Sequence, residues 1–140
     1  MRILAVDPGE KHIGIALSDP TGTIANPLTV LKHIARPVDA AAIADLARQH
    51  EARRIVVGQA LDDDGQPTPQ SRRAVRLAEA IRQQSELPVD LWDESGSTQA
   101  ARAARLQMGV VRSKRRGHLD DLAATYILQT YLDANQTRNP

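Results

Sequence analysis

The sequence predicts an α/β protein: a five-stranded mixed sheet, three antiparallel strands followed by parallel ones, with helices on both faces. Three observations predict it. Apolar runs over 3–6, 13–17 and 24–31 are separated only by turn residues, too closely for parallel strands, whose crossovers need a dozen residues or more. Beyond residue 36, helical periodicity alternates with short β-branched runs, the pattern of parallel pairing. Aromatic residues make up 2% of the 140, with no Phe and one Trp, so the core must be built from Ala, Leu, Ile and Val.

Ile3 to Val6 is too short for a helix and reads as a buried strand. It stops at Asp7, before the chain-reversing Pro8-Gly9. Ile13, Ile15 and Leu17 then alternate with Gly14, Ala16 and Ser18 as a second strand. Thr21-Gly22 turns the chain into a third, Ile24 to Leu31, where Pro27 predicts an edge position because proline cannot donate to the ladder. Arg36-Pro37 opens a helix to about His50, with Pro in its first turn and Ile43, Leu46 and Ala47 inward. Arg54 to Gly58 is the fourth strand. A polar loop from Gln59 to Ser71 leads to a helix over 71–85, with Ala74, Val75, Ala78 and Ile81 at helical spacing. Pro88 to Trp92 is the fifth strand, ending at Asp93-Glu94. Ser97 can cap a helix to about Gln107, and the last helix covers 118–132. This order is that of the ribonuclease H-like architecture, in one domain over 1–134 with a polar tail over 135–140.

The net charge is +1, so affinity for a polyanion must come from local clustering. The scarcity of aromatics argues against a base-stacking platform. With no Cys, disulfides and thiolate metal sites are excluded. The N-terminus lacks the pattern of a signal peptide and no apolar run is long enough to span a bilayer, so a cytoplasmic location is expected.

Acidic residues stand where elements end: Asp7 after the first strand, Glu94 after the fifth, Asp120 in the first turn of the last helix. Each has a simpler reading. Asp7 could form a turn, Glu94 could be an exposed loop residue, and Asp120 and Asp121 could answer the helix dipole. Against the turn reading, a carboxylate fixed at a strand end is well placed as a ligand, and small Gly14 and Ala16 permit close approach. In sheets of this kind parallel strands lie with their carboxyl ends on one edge. Residue 120 shares a helical face with Ala124, Ile127 and Tyr131, whereas Asp121 is turned toward Thr125, Gln129 and Leu132. Three converging carboxylates would repel one another without a cation, and hard divalent ions such as Mg²⁺ and Mn²⁺ take such oxygen ligands. Two ions so held can orient a water and steady the leaving oxygen of a phosphodiester. The run from Arg112 through Lys114, Arg115 and Arg116 is either a solvated loop or a grip on phosphates. Asp62 to Asp64 reads as a solvated turn, and the four His show no ligand spacing.

The residues carrying this pattern resemble the YqgF family, bacterial RuvC-like proteins with a ribonuclease H-like fold, related to Holliday junction resolvases and associated with precursor ribosomal RNA cleavage. The resemblance rests on Asp7-Pro8-Gly9 with Ile13-Gly14-Ile15-Ala16, on Val56-Val57-Gly58, on Asp93-Glu94 with Ser97-Thr98, and on Leu119-Asp120-Asp121-Leu122-Ala123-Ala124. It implies a metal-dependent nuclease with Asp7, Glu94 and Asp120 as its acidic site, binding Mg²⁺ or Mn²⁺, two ions in all. It also implies 5′-end processing of the precursor of 16S rRNA, or a DNA junction as the alternative substrate. The chain departs from the family with Ser95-Gly96 for Arg-Leu and Gln59-Ala60 for Leu-Pro, and the first change removes a cation beside the acids. That loss supports a rival: a nucleic-acid- or ribosome-binding module with little or no catalysis. A sugar-kinase or chaperone ATPase lobe also begins with an Asp-x-Gly hairpin, but needs two such lobes. The chain is read as a monomer or a homodimer, the dimer suiting paired cuts in a four-way junction.

Overall fold

In a computed structural model, the described residues are 1–93 and 120–138. They form β1 (Arg2–Pro8), β2 (His12–Ser18), β3 (Ala25–Lys32), α1 (Arg36–Gln49), β4 (Ala52–Gln59), α2 (Pro69–Gln84), β5 (Val89–Asp93) and α3 (Asp120–Arg138). The strands make one five-stranded sheet in the order β3-β2-β1-β4-β5. The β1–β2 and β2–β3 pairs are antiparallel; β1–β4 and β4–β5 are parallel. The three tightly joined strands pair as their turns dictate. Pro27 lies on an edge strand, opposite Ala16, where the register shifts.

Alternation along the strands divides the interior in two. Leu4 and Val6 of β1, Ile13 and Ile15 of β2, and Ile55 and Val57 of β4 pack with Ile43 and Ala47 of α1 and with Ala74 and Ile81 of α2. Ile3, Ala5, Ala16 and Val56 face the other way, against Ala124, Ile127, Leu128 and Tyr131 of α3. The second layer is rich in alanine, so α3 lies close to the sheet. Its nearest approach is at Gly58, where a Cβ would stand 2.4 Å from Cδ1 of Ile127.

Several boundaries differ from the expectation for local reasons. The first strand runs through Pro8, so Asp7 is a ladder residue paired with Gly14 and not the opening of a turn. The reversal after it is backbone-tight: Gly9 N–H donates to the His12 carbonyl at 3.1 Å. The second helix begins at Pro69, because Thr68 caps it: Thr68 Oγ1 accepts from Ser71 N–H at 3.0 Å and Ser71 Oγ from Thr68 N–H at 2.8 Å. Such reciprocal capping satisfies two otherwise orphaned donors. The first helix has no side-chain cap at Ala35; the buried Asp39 carboxylate instead accepts from Ile34 N–H at 3.1 Å and meets His33 Nδ1. Helix α3 spans Asp120–Arg138 among the described residues and so continues past its expected end at 132; residues 118 and 119 lie outside them.

The β2–β3 turn is organised by Asp19, whose carboxylate accepts from Thr23 N–H at 2.8 Å, Ile24 N–H at 2.9 Å and the Thr21 hydroxyl. These donors, Ile24 foremost, hold its carboxyl well below the usual carboxylate range. In the loop over 60–68, Asp62 to Asp64 form a solvated turn, as expected: Asp62 Oδ1 accepts from Asp64 N–H at 2.9 Å and Gln66 N–H at 2.8 Å.

The Gly58–Ile127 contact yields a stability test. Gly58→Ala forces a methyl group into fully buried Ile127 and should cost about 1–3 kcal/mol, as overpacking does. Ile127→Val in the same chain should return part of that loss. Urea unfolding of the two single variants and the double variant measures the coupling.

Candidate active site

The site begins with the parity of β1. Ile3 and Ala5 face α3, so Asp7, two residues on, belongs to the same side of the sheet. Its lateral neighbours there are small. Gly14 pairs with it on β2, and Gly58 follows Val57, the partner of Val6 on β4. Trp92 pairs with Gly58 on β5. Across the end of the sheet the row therefore reads Gly14, Asp7, Gly58, Trp92. The half-buried Asp7 thus lies between two glycines on the face of the sheet that α3 covers.

Helix α3 runs antiparallel to β1. Ile127 sits over Gly58, level with Asp7. Further along, Gln129 meets Ala25, which pairs with Ser18 near the start of β1, and Tyr131 meets Asp90. Going back toward its start, the helix covers about 10 Å from Ile127 to Asp120 at 1.5 Å per residue. Its first residue thus stands beyond the carboxyl ends of β1, β4 and β5, and the buried face is the one bearing Ala124, Ile127 and Tyr131, as the periodicity predicted.

Hydrogen bonds fix the helix in rotation and in height. Trp92 Nε1 donates to Thr130 Oγ1 at 3.0 Å, and the Trp92 and Tyr131 rings meet edge to face with centroids 5.3 Å apart. Tyr131 OH donates at 3.3 Å to Asp90 Oδ2, which also pairs with Arg54. Burial, aided by the Asp90 carboxylate, pushes the Tyr131 phenol up, and the Arg54 guanidinium opposes it. Gln129 accepts from Ala25 N–H at 2.9 Å and donates to the Thr23 carbonyl at 3.1 Å, tying α3 to the start of β3.

The expected site residues are distributed unevenly. Asp7 is on the α3 side of the sheet end, and Asp120 is the first residue of α3 at that end. Glu94, Arg112, Lys114, Arg115 and Arg116 lie outside the described residues, as does the helix expected over 97–107. Asp93 ends β5 with the parity of Val89 and Leu91, toward α1 and α2 rather than Asp7. Among the described residues no three metal-ligating side chains are grouped; of the expected trio only the Asp7 side chain belongs to that set. Sequence reasoning missed two features. The anchors Trp92, Gln129, Thr130 and Tyr131 carry no motif. Nor do Arg36 and Arg73, which α1 and α2 bring to a cavity on the other side of the same sheet end, beside Glu10 and Asp39.

A family profile described as "RuvX: Holliday junction resolvase" matches residues 1–134. The chain is 38% identical over 136 residues to a protein of Myxococcus xanthus, covering 97% of this chain and 90% of that one. It is 42% identical over 134 residues to one of Syntrophus aciditrophicus, covering 96% and 89%. Both are named "Putative pre-16S rRNA nuclease". Among solved structures, Thermus thermophilus RuvC in complex with Holliday junction substrate matches with a TM-score of 0.63 at 16% identity, covering 98% and 96% of the two chains. The fowlpox virus Holliday junction resolvase matches at 0.61 and 18%, covering 96% and 99%. At such identities the two structures bear on the fold alone: it is ribonuclease H-like, as expected.

The anchoring of α3 is open to measurement. Gln129→Leu leaves Ala25 N–H without its acceptor and should cost about 1–3 kcal/mol, the penalty for an unsatisfied buried donor. Urea denaturation should show the loss with no change in far-ultraviolet circular dichroism of the native state.

Proposed function

This chain belongs to the RuvX (YqgF) family, and from that premise we propose that it is a divalent-metal-dependent endonuclease. Its substrate is structured nucleic acid, in the first place the 5′ end of precursor 16S rRNA during ribosome assembly. The observation that carries the reading is Asp7, held on a central strand between Gly14 and Gly58 and facing the helix that begins with Asp120. Relatives named for pre-16S rRNA cleavage, similar over nearly the whole chain, support the choice of substrate. No helix among the described residues is long and apolar enough to cross a membrane, which accords with a cytoplasmic protein meeting ribosomal precursors.

The donor chemistry fits the cation. Carboxylate oxygens are the ligands that Mg²⁺ and Mn²⁺ take, with water completing the shell. Asp7, Glu94 and Asp120 would hold the ions, two in number. When bound, such ions supply a nucleophilic water and charge stabilisation for the leaving oxygen. The chain's own part is positioning. Asp7 is fixed by a strand paired on both sides, and α3 is locked by Trp92, Gln129 and Tyr131, so the two acids cannot drift independently. Arg112, Lys114, Arg115 and Arg116 would hold the phosphate backbone against the repulsion of the acids. A second reading, a binding module of the same fold without catalysis, draws on Ser95, where the family has Arg.

Purified protein, labelled precursor rRNA and labelled four-way DNA junction, with Mg²⁺, Mn²⁺ or EDTA, separate these readings. We expect cleavage of the RNA with metal, none in EDTA, and loss of nearly all activity in Asp7→Asn with an unchanged melting temperature. Cleavage that survives EDTA or Asp7→Asn refutes the metal mechanism. Cleavage of the junction alone reassigns the substrate to DNA, and binding without cleavage of either favours the module.

The acids at the head of α3 provide a finer test. Residue 120 belongs to the helical face of Ala124 and Ile127, and residue 121 is turned about 100° from it. Asp120→Asn should therefore lose nearly all cleavage and Asp121→Asn keep much of it. Both are at the helix start and answer its dipole alike, at roughly 0.3–1 kcal/mol each, so their unfolding free energies should not differ. Equal loss of cleavage would mean that both acids reach the ions.

A further inference from the structure

The sheet order places Asp7 on the middle strand, so a nucleic-acid backbone that meets it must leave over β2 and β3 or over β4 and β5. The register of β2 and β3 decides what stands on the first path. Gly14 is paired with Asp7 on one side and with Val30 on the other, and directly opposed residues show their side chains on one face of a sheet. Two residues nearer the carboxyl end of β1, His12 is paired with Lys32, and residues two apart on a strand share a face. His12 and Lys32 therefore belong to the face of Asp7. Both are exposed, and Lys32 ends β3 at the edge of the sheet where β1, β4 and β5 also end. The other Lys and Arg of the described strands, Arg2, Arg53 and Arg54, stand at the far end, where β1 and β4 begin.

Distance decides what this lysine can do. Lys32 lies two strands across and two residues beyond Asp7, so at roughly 4.8 Å per strand and 3.4 Å per residue their Cα atoms stand on the order of 12 Å apart. That is outside a Debye length of about 8–10 Å at ordinary salt, so the ammonium neither neutralises the carboxylate nor competes with a cation for it. A phosphate held at Asp7 is followed along its chain by others, which the acids repel and for which a flexible ammonium is a ready partner. His12, on the strand between, adds an imidazole donor to the same surface. The other explanation of an edge lysine is protection, since a charge on an edge strand deters pairing with a second chain. That task takes a charge of either sign, whereas a phosphate needs a cation. We propose that Lys32 holds a backbone phosphate flanking the one at Asp7, on the RNA strand that crosses β2 and β3. The place of the cut rests on the nuclease reading above; the contact itself does not.

The test uses full-length protein carrying Asp7→Asn, so that RNA is bound and not consumed. Fluorescence anisotropy is read with single-stranded RNA spanning the mature 5′ end of the 16S precursor. Lys32→Gln should weaken binding several-fold and lower the magnitude of the log–log salt slope by about 0.7, the share of one single-strand phosphate. Lys32→Arg should keep both values, and Lys32→Glu should lose more than Lys32→Gln. Arg53→Gln, which removes an equal charge at the far end of the sheet, should change neither. The same RNA is then made with one phosphate at a time replaced by an uncharged methylphosphonate. At one position near the cut, and only there, protein with Lys32 and protein with Lys32→Gln should bind alike. Unchanged affinity in Lys32→Gln, an equal loss in Arg53→Gln, a loss that no methylphosphonate abolishes, or protein that binds none of this RNA overturns the proposal. Sedimentation that shows the Gln variant, but not the Glu variant, associating while RNA affinity holds also overturns it and makes Lys32 a guard of the edge. Melting curves confirm that each variant is folded. If protein with Asp7 restored cuts nothing with any metal while the Lys32-dependent loss persists, the nuclease reading falls and the contact stands; cleavage with unaltered KM in Lys32→Gln does the reverse.

Discussion

The structure depends on a missing side chain. Because position 58 has no Cβ, Ile127 descends onto β4 and α3 settles directly on the sheet. Every other contact of that helix presupposes this seat. Trp92 reaches Thr130, Tyr131 reaches Asp90, and Gln129 reaches the start of β3 only at this depth and this rotation. The alanines at 5, 16 and 124 serve the same closeness, since larger residues in that layer would lift the helix away. The functional consequence is geometric. A helix resting on a strand through a backbone contact has little freedom to slide, so the distance between its first residue and Asp7 is set by packing rather than by a flexible loop.

Much of this could be read from the sequence, and the reasons are specific. Turn residues at 8–9 and 21–22 left too few positions for crossovers, which forced antiparallel pairing of the first three strands. Pro27 named the edge, and strand parity put Asp7 under the last helix once Ile3 and Ala5 were known to face it. Spacing also identified the buried side of α3 through Ala124, Ile127 and Tyr131. Other features were hidden because their causes are not periodic. The start of α2 at Pro69 depends on a reciprocal Thr68–Ser71 bond. The continuation of α3 through Arg138 was obscured by the polar run after Asp133, which resembles a tail. The meeting of Arg36 and Arg73 was invisible as a motif because they come from separate helices and border one cavity only when the fold forms.

The two faces of the sheet end differ in character although one strand supplies both. Asp7 and Pro8 are neighbours in sequence, yet parity sends one toward α3 and the other toward α1 and α2. The side of Asp7 borders a thin, alanine-rich layer; the side of Pro8 borders the thicker core of Leu, Ile and Val.

The tryptophan that anchors α3 has an optical consequence. The chain holds one Trp and two Tyr, and the indole lies in the joint between β5 and α3, edge to face with Tyr131 and bonded to Thr130. Its emission is therefore a local gauge of that joint, silent about the packing of α1 and α2 on the opposite face. Partial release of α3 would redden the spectrum while most of the sheet and its circular dichroism remained intact. The molecule thus carries a built-in reporter at the joint that seats α3 on the face of the sheet bearing Asp7.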